Sequence, residues 1–234
     1  MVTILGTYRP EANGRPHPPE PTLEFTRILA LRHGETAWNK DTRIQGQIDI
    51  PLNDTGLWQA QQAALALRDE PVAAVYSSDL ARAAQTAGAI AQQLGQAVNH
   101  HTGLRERCFG AFEGRTWAEL EAQEPEAALA WRKRVPDFAP QGGESLLVLR
   151  ERVARTFHEL AAQHPGEQIV VVAHGGVLDV LYRLATGLEL QAPRTWLLAN
   201  AAINRVLWTP EGFSLVGWAD TAHLEVGSQD EQTA

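Results

Sequence analysis

One cysteine, Cys108, stands among 234 residues, so an intramolecular disulfide framework is excluded and a zinc site built on thiolates is disfavoured. Long apolar runs are also missing. No stretch approaches the roughly 20 apolar residues that cross a bilayer, and Met1 to Gly14 contains no apolar core of the kind a secretory signal needs. A cytoplasmic chain without membrane attachment is therefore expected. Positive charge is scarce: 20 Lys and Arg face 28 Asp and Glu, for a formal net charge of -8. That balance opposes sequence-independent binding of DNA or RNA, which requires a positive surface. Lysine is nearly absent, at Lys40 and Lys133 alone, so almost every fixed cation is a guanidinium.

Several catalytic signatures are missing too. No G-x-x-x-x-G-K-[ST] loop, no strand-linked G-x-G-x-x-G and no G-x-S-x-G elbow occurs, and neither does H-E-x-x-H. The remaining histidines show no metal-ligand spacing. P-loop, dinucleotide, serine-hydrolase and zincin chemistries lose their usual carriers, and neither a cofactor nor a metal is expected.

What is present reads as one α/β domain. Proline crowds residues 1–24 and marks them as an N-terminal extension, whereas 227–234 form a polar tail. Between them, residues 25–226 alternate strand-like and helical patterns. Strands are expected at Arg27 to Arg32, Val72 to Tyr76, Ile169 to Ala173, Ala202 to Trp208 and Phe213 to Trp218. Helices are expected over Leu57 to Arg68, Leu80 to Leu94, Glu144 to Gln163 and after Gly176. In the third of these, Leu146, Leu149, Val153, Phe157 and Leu160 recur at three- and four-residue spacing. Apolar strands alternating with helices imply a three-layer sandwich, a mainly parallel sheet with helices on both faces. Ligands bind such sheets beyond the carboxyl ends of the strands.

Two histidines occupy that position, each before glycine: His33-Gly34, and His174-Gly175-Gly176. If their strands are neighbours, both rings face one crevice. Arg32 precedes His33, and Arg82 follows a strand near a helix start. Guanidinium forks bind phosphate and stay charged, although Arg82 alone is equally readable as a surface residue. Glu106, between Arg105 and Arg107, is either an ion-pair partner or an acid for a leaving alkoxide.

Assembled in order, these segments resemble the histidine phosphatase superfamily, also called the phosphoglycerate mutase-like family. Arg32-His33-Gly34-Glu35-Thr36 with Asn39 looks like its R-H-G-x-[ST]-x-x-N signature. Ser77 to Arg82, Leu104-Arg105-Glu106, Gly142 to Ser145 and Val172 to Gly176 extend the match. The resemblance implies a phosphorylated nucleophile at His33, phosphoryl-oxygen ligands at Arg32, Arg82 and His174, and a proton donor and acceptor at Glu106. It further implies that Asn39 and Gln45 edge the pocket, and that Gly46 and Gly175 let backbone approach the substrate. The expected partner is a small phosphorylated metabolite, with homodimerisation left open.

The family holds both phosphatases and mutases. The short span from Arg115 to Gln141 resembles the phosphatase branch, within a lid segment of about 111–141. Glu106-Arg107-Cys108-Phe109-Gly110 resembles the mutases' E-R-H-Y-G, so Arg107 is a candidate for a substrate carboxylate or second phosphate, or else a solvated loop arginine. Cys108 either lines the pocket or packs inertly. Trp117, Trp131 and Phe138 are expected to pack a helical lid, and Arg132-Lys133-Arg134 to be a solvated helix face. A non-catalytic binding module would lack part of the set His33, Arg32, Arg82, Glu106 and His174.

Overall fold

The computed structural model describes residues 25–225. The Pro-rich extension 1–24 and the tail 227–234 lie outside the described residues. Six strands form one sheet in the order β3-β2-β4-β1-β5-β6: β1 (Thr26–Arg32), β2 (Ala74–Ser77), β3 (Val98–His100), β4 (Gln168–Ala173), β5 (Ile203–Thr209) and β6 (Gly212–Asp220). The first four are mutually parallel; β5 runs antiparallel to β1, and β6 antiparallel to β5. All six residues of β4 are buried, as expected for a strand with both faces covered.

Alternate side chains of the central strands feed two separate cores. Ile28, Ala30, Ile169 and Val171 pack on one face against α6 (Leu146–Ala161) and α7 (Gly175–Thr186). Leu29, Leu31, Val170 and Val172 pack on the other against α2 (Asp54–Ala66) and α3 (Ala81–Leu94). This is the expected three-layer sandwich, and every residue of the α6 stripe is buried. Helix ends follow local chemistry. Asn53 and Ser145 cap α2 and α6 through side-chain oxygens, while Gly95 and Gly187 close α3 and α7 in the left-handed conformation.

Three elements carried no clear periodicity. The edge strand β3 is short and mostly exposed, and α1 (Ala37–Lys40) is a single capped turn. The third is the lid, where α4 (Trp117–Gln123) and α5 (Pro125–Arg132) meet at Glu124, with Pro125 opening the second helix. These helices enclose a small core of their own, Ile44, Phe112, Leu120 and Ala128, with Phe109, Trp131 and Phe138 against it. Among the described residues, no helix is long and apolar enough to cross a membrane.

Candidate active site

Strands β1 and β4 are adjacent and parallel, with Arg32 opposite Ala173. Their next residues, His33 and His174, therefore emerge side by side, 5.2 Å between ring centroids. Both are buried. His33 Nδ1 lies 2.7 Å from the Gly34 carbonyl. A carbonyl oxygen only accepts, so Nδ1 carries the hydrogen and Nε2 of the neutral ring bears the lone pair. Burial, and then the charges of Arg32 and Arg82, push the His33 imidazole well below its usual range. Burial, followed by Arg82, does the same to His174. Two further residues fix this turn. Asn200 Nδ2 donates to the His33 carbonyl at 2.9 Å, and Thr86 Oγ1 accepts from Gly34 N at 3.0 Å.

Arg82 sits in the first turn of α3, whose Ala81 amide is capped by Asp49 Oδ1 at 2.7 Å. Its Nη1 and Nη2 donate to the carbonyls of Ile48 and Gly46. Arg32 Nη1 donates to the Leu198 carbonyl. The Nε atoms of both arginines and both ring nitrogens of His174 are buried without a hydrogen-bond partner among the described residues. Unpaired buried polar groups are costly, and these lie near the ends of β1 and β4. Burial lowers the pKa of both guanidinium groups, yet each remains a fixed cation.

Among the described residues Glu106 forms no ion pair. Its carboxylate accepts from the amides of Gly176 (3.0 and 3.1 Å) and Arg107 (2.7 Å). The loop beneath it is held by Arg152, which pairs with Glu144 and donates to the carbonyls of Gly103 and Arg105. A Cβ on Gly176 would lie 2.4 Å from Glu106 Oε1, so only glycine lets the carboxylate sit there.

A cavity of about 830 Å³ opens here, lined by Arg32, His33, Asn39, Gln45, Gly46, Arg82, Glu106, Arg107 and Gly175, whereas His174 is fully buried and does not line it. Asn39 Oδ1 is engaged by the Thr36 amide and Asn200, and Gln45 Oε1 is buried without a partner among the described residues. Gly46, at φ +55°, turns its missing Cβ toward Glu113, whose Oε1 a methyl group would strike. Arg107 is buried, not solvated: it donates to the Glu144 and Phe138 carbonyls and lies 4.4 Å over the Trp131 ring. Burial brings it to about 10, still cationic at neutral pH. Cys108 lies outside the cavity lining, its thiol turned to the Gly142 carbonyl.

The expectation of a solvated Arg132-Lys133-Arg134 face fails at Arg134. That residue turns into the cavity wall, pairing with Asp179 at 2.6 Å and donating to the Leu190 carbonyl. Among the described residues, seven arginines line the cavity against two carboxylates, Glu106 and Asp179. Nothing in the strand and helix periodicity pointed to Arg134, Asp179 or Arg194. Among the described residues, no cluster of three or more His, Cys, Asp or Glu is placed to hold a metal ion.

The sequence model of the histidine phosphatase superfamily (branch 1) matches residues 28–221. The metal-independent phosphoserine phosphatase of Arabidopsis thaliana is 41% identical over 204 residues, covering 86% of this chain and 84% of its own. The glucosyl-3-phosphoglycerate phosphatase of Mycolicibacterium vanbaalenii is 40% identical over 175 residues, or 72% and 77% of the two chains. The solved structure of Bacillus stearothermophilus YhfR superposes with a TM-score of 0.79 at 28% identity, covering 86% of this chain and all of that one. The chain belongs to the histidine phosphatase superfamily.

Proposed function

We propose that this member of the histidine phosphatase superfamily hydrolyses the phosphomonoester of a small metabolite, without a metal, through a phosphohistidine formed on His33. The observation that carries the reading is the His33–Gly34 contact. It commits Nδ1 as a donor and leaves Nε2, neutral and buried, as the nucleophile.

In the first half-reaction Nε2 attacks phosphorus and the bond to the ester oxygen breaks. Charge spreads over three equatorial oxygens, and the preorganised donors of Arg32, Arg82 and His174 take it up. Phosphate charge beside His174 raises its proton affinity, so it gains a proton most readily in the complex. Glu106 gives its proton to the departing alkoxide. In the second half-reaction Glu106 takes a proton from water, which attacks phosphorus and frees His33. Relatives named for phosphoserine and glucosyl-3-phosphoglycerate hydrolysis support this substrate class.

Arg107 favours a second reading, phosphoryl transfer between two oxygens of a phosphoglycerate, because a buried cation on the cavity wall suits a substrate oxyanion. One experiment addresses both. Purified protein and His33→Ala are incubated with p-nitrophenyl phosphate, 3-phosphoglycerate, phosphoserine and sugar phosphates, with chelator present. Phosphate release lost in His33→Ala is the expected result. Activity that survives the substitution, or that chelator abolishes, refutes the mechanism. Conversion of 3-phosphoglycerate to 2-phosphoglycerate favours the transferase. A folded protein inert on all of them leaves a phosphate-binding module.

A further inference from the structure

The cavity's charge is not balanced by what the phosphoryl group needs. Of the lining arginines, Arg43, Arg132 and Arg134 answer carboxylates, Glu119, Glu121 and Asp179. Arg32 and Arg82 serve the phosphoryl oxygens. Arg107 and Arg194 are left, and the carboxylate that remains, Glu106, is engaged as the proton carrier.

Arg194 differs from the rest. It is exposed, lines the cavity, and among the described residues has no hydrogen-bond or ion-pair partner. Its place in the fold is nevertheless fixed. Arg183, fully buried in α7, donates to the carbonyls of Glu189 and Ala192 just before it. Two residues after it, buried Trp196 stacks on Tyr182 with centroids 4.0 Å apart and lies 4.8 Å from the Arg183 guanidinium. A loop pinned on both sides thus carries to the cavity lining a guanidinium that has no partner among the described residues. Its charge reaches the reactive end: after burial, which is the largest effect, Arg194 contributes to lowering the pKa of Arg32, opposing Glu106. Two cations facing one cavity are both served by an anion that enters it.

We propose that Arg194 determines specificity by pairing with a second oxyanion on the leaving group, so that the preferred substrates are phosphomonoesters carrying a further negative charge. The inference rests on the hydrolase reading above. A planar guanidinium suits a carboxylate or a second phosphate equally, through two parallel N–H···O bonds.

The test compares esters that differ in that group alone. Glycerol 3-phosphate and 3-phosphoglycerate differ by a carboxylate; fructose 6-phosphate and fructose 1,6-bisphosphate differ by a phosphate. Wild type is expected to favour the more anionic member of at least one pair in kcat/KM. Arg194→Ala is expected to shrink that preference by at least about tenfold, the worth of a charge-assisted contact, chiefly through KM. Arg194→Lys should restore part of it. The pair that responds tells carboxylate from phosphate. A wild type that shows no preference in either pair overturns the proposal, and so does a preference that Arg194→Ala leaves intact. If the wild type hydrolyses none of the four, the hydrolase reading fails separately. Calorimetric binding of the same pairs to wild type and Arg194→Ala then decides on Arg194.

Discussion

The imidazole rings of His33 and His174 lie 5.2 Å apart, tilted by 56° and buried at the ends of neighbouring strands. Burial, reinforced by Arg32 and Arg82, holds both below the ordinary histidine range. Two consequences follow for pH. The His33 lone pair should persist below pH ~6.5, so the acid limb of kcat/KM, corrected for substrate ionisation, should fall below that value. Stability moves the other way from a histidine that gains a partner. In the window from about pH 6.5 downward the unfolded chain takes up protons that the folded chain refuses, so stability falls with pH. Thermal melts between pH 7 and 5.5 should show a steeper decline for wild type than for the His33→Asn/His174→Asn double variant. Parallel declines would contradict the neutral pair.

Glu106, seated on the Gly176 and Arg107 amides, should matter differently in the two half-reactions. Glu106→Gln is expected to slow hydrolysis of an alkyl phosphate by about 10²–10⁴-fold. With p-nitrophenyl phosphate the leaving group needs no proton, so His33 should still be phosphorylated while water attack lags. Rapid mixing should then give a burst of nitrophenol, with an acid-labile phosphoenzyme accumulating. A uniform slowing without a burst would remove Glu106 from the proton transfers.

Gly176 supports that carboxylate through a contact no other residue permits, since an added Cβ meets Glu106 Oε1 at 2.4 Å. Gly176→Ala should push the acid out of line and reduce kcat on alkyl phosphates by about 10- to 100-fold. The p-nitrophenyl phosphate burst should suffer less. Equal losses on both would mean general damage to the turn.

Legibility of this molecule followed periodicity. The fully buried run of β4 and the stripe of α6 announced the layers, because each buries one repeating face. The strand-end histidines fall together because β1 and β4 are neighbours, which puts both rings at one end of the sheet. Contacts set by loop geometry were not readable. Asn200 grips the His33 turn from 167 positions away. Arg134 looked like one cation in a basic run because its direction depends on a single backbone angle. Arg194 carried no signal at all, since an arginine among Pro and Leu has no period and its neighbours are set by Arg183 and Trp196.

That backbone angle makes Arg134 testable. It follows the last turn of α5 at φ +52°, a left-handed position that glycine ordinarily fills and a bulky residue occupies with strain. Its side chain offsets that strain by clasping the lid to the body, at Asp179 Oδ2 and the Leu190 carbonyl, each 2.6 Å away. Arg134→Gly should relieve the backbone by about 1 kcal/mol while losing a partly exposed ion pair of similar worth. The melting temperature should therefore change little. Activity should not be spared, because the cavity wall is lined by Trp131 and Arg132 of the same helix, and a loosened lid raises KM. Arg134→Ala loses the clasp without relieving the backbone, so it should lower both stability and affinity. If the glycine variant matched wild type in KM, the clasp would be structural alone, and lid closure would have to rest on Arg107 and its stack with Trp131.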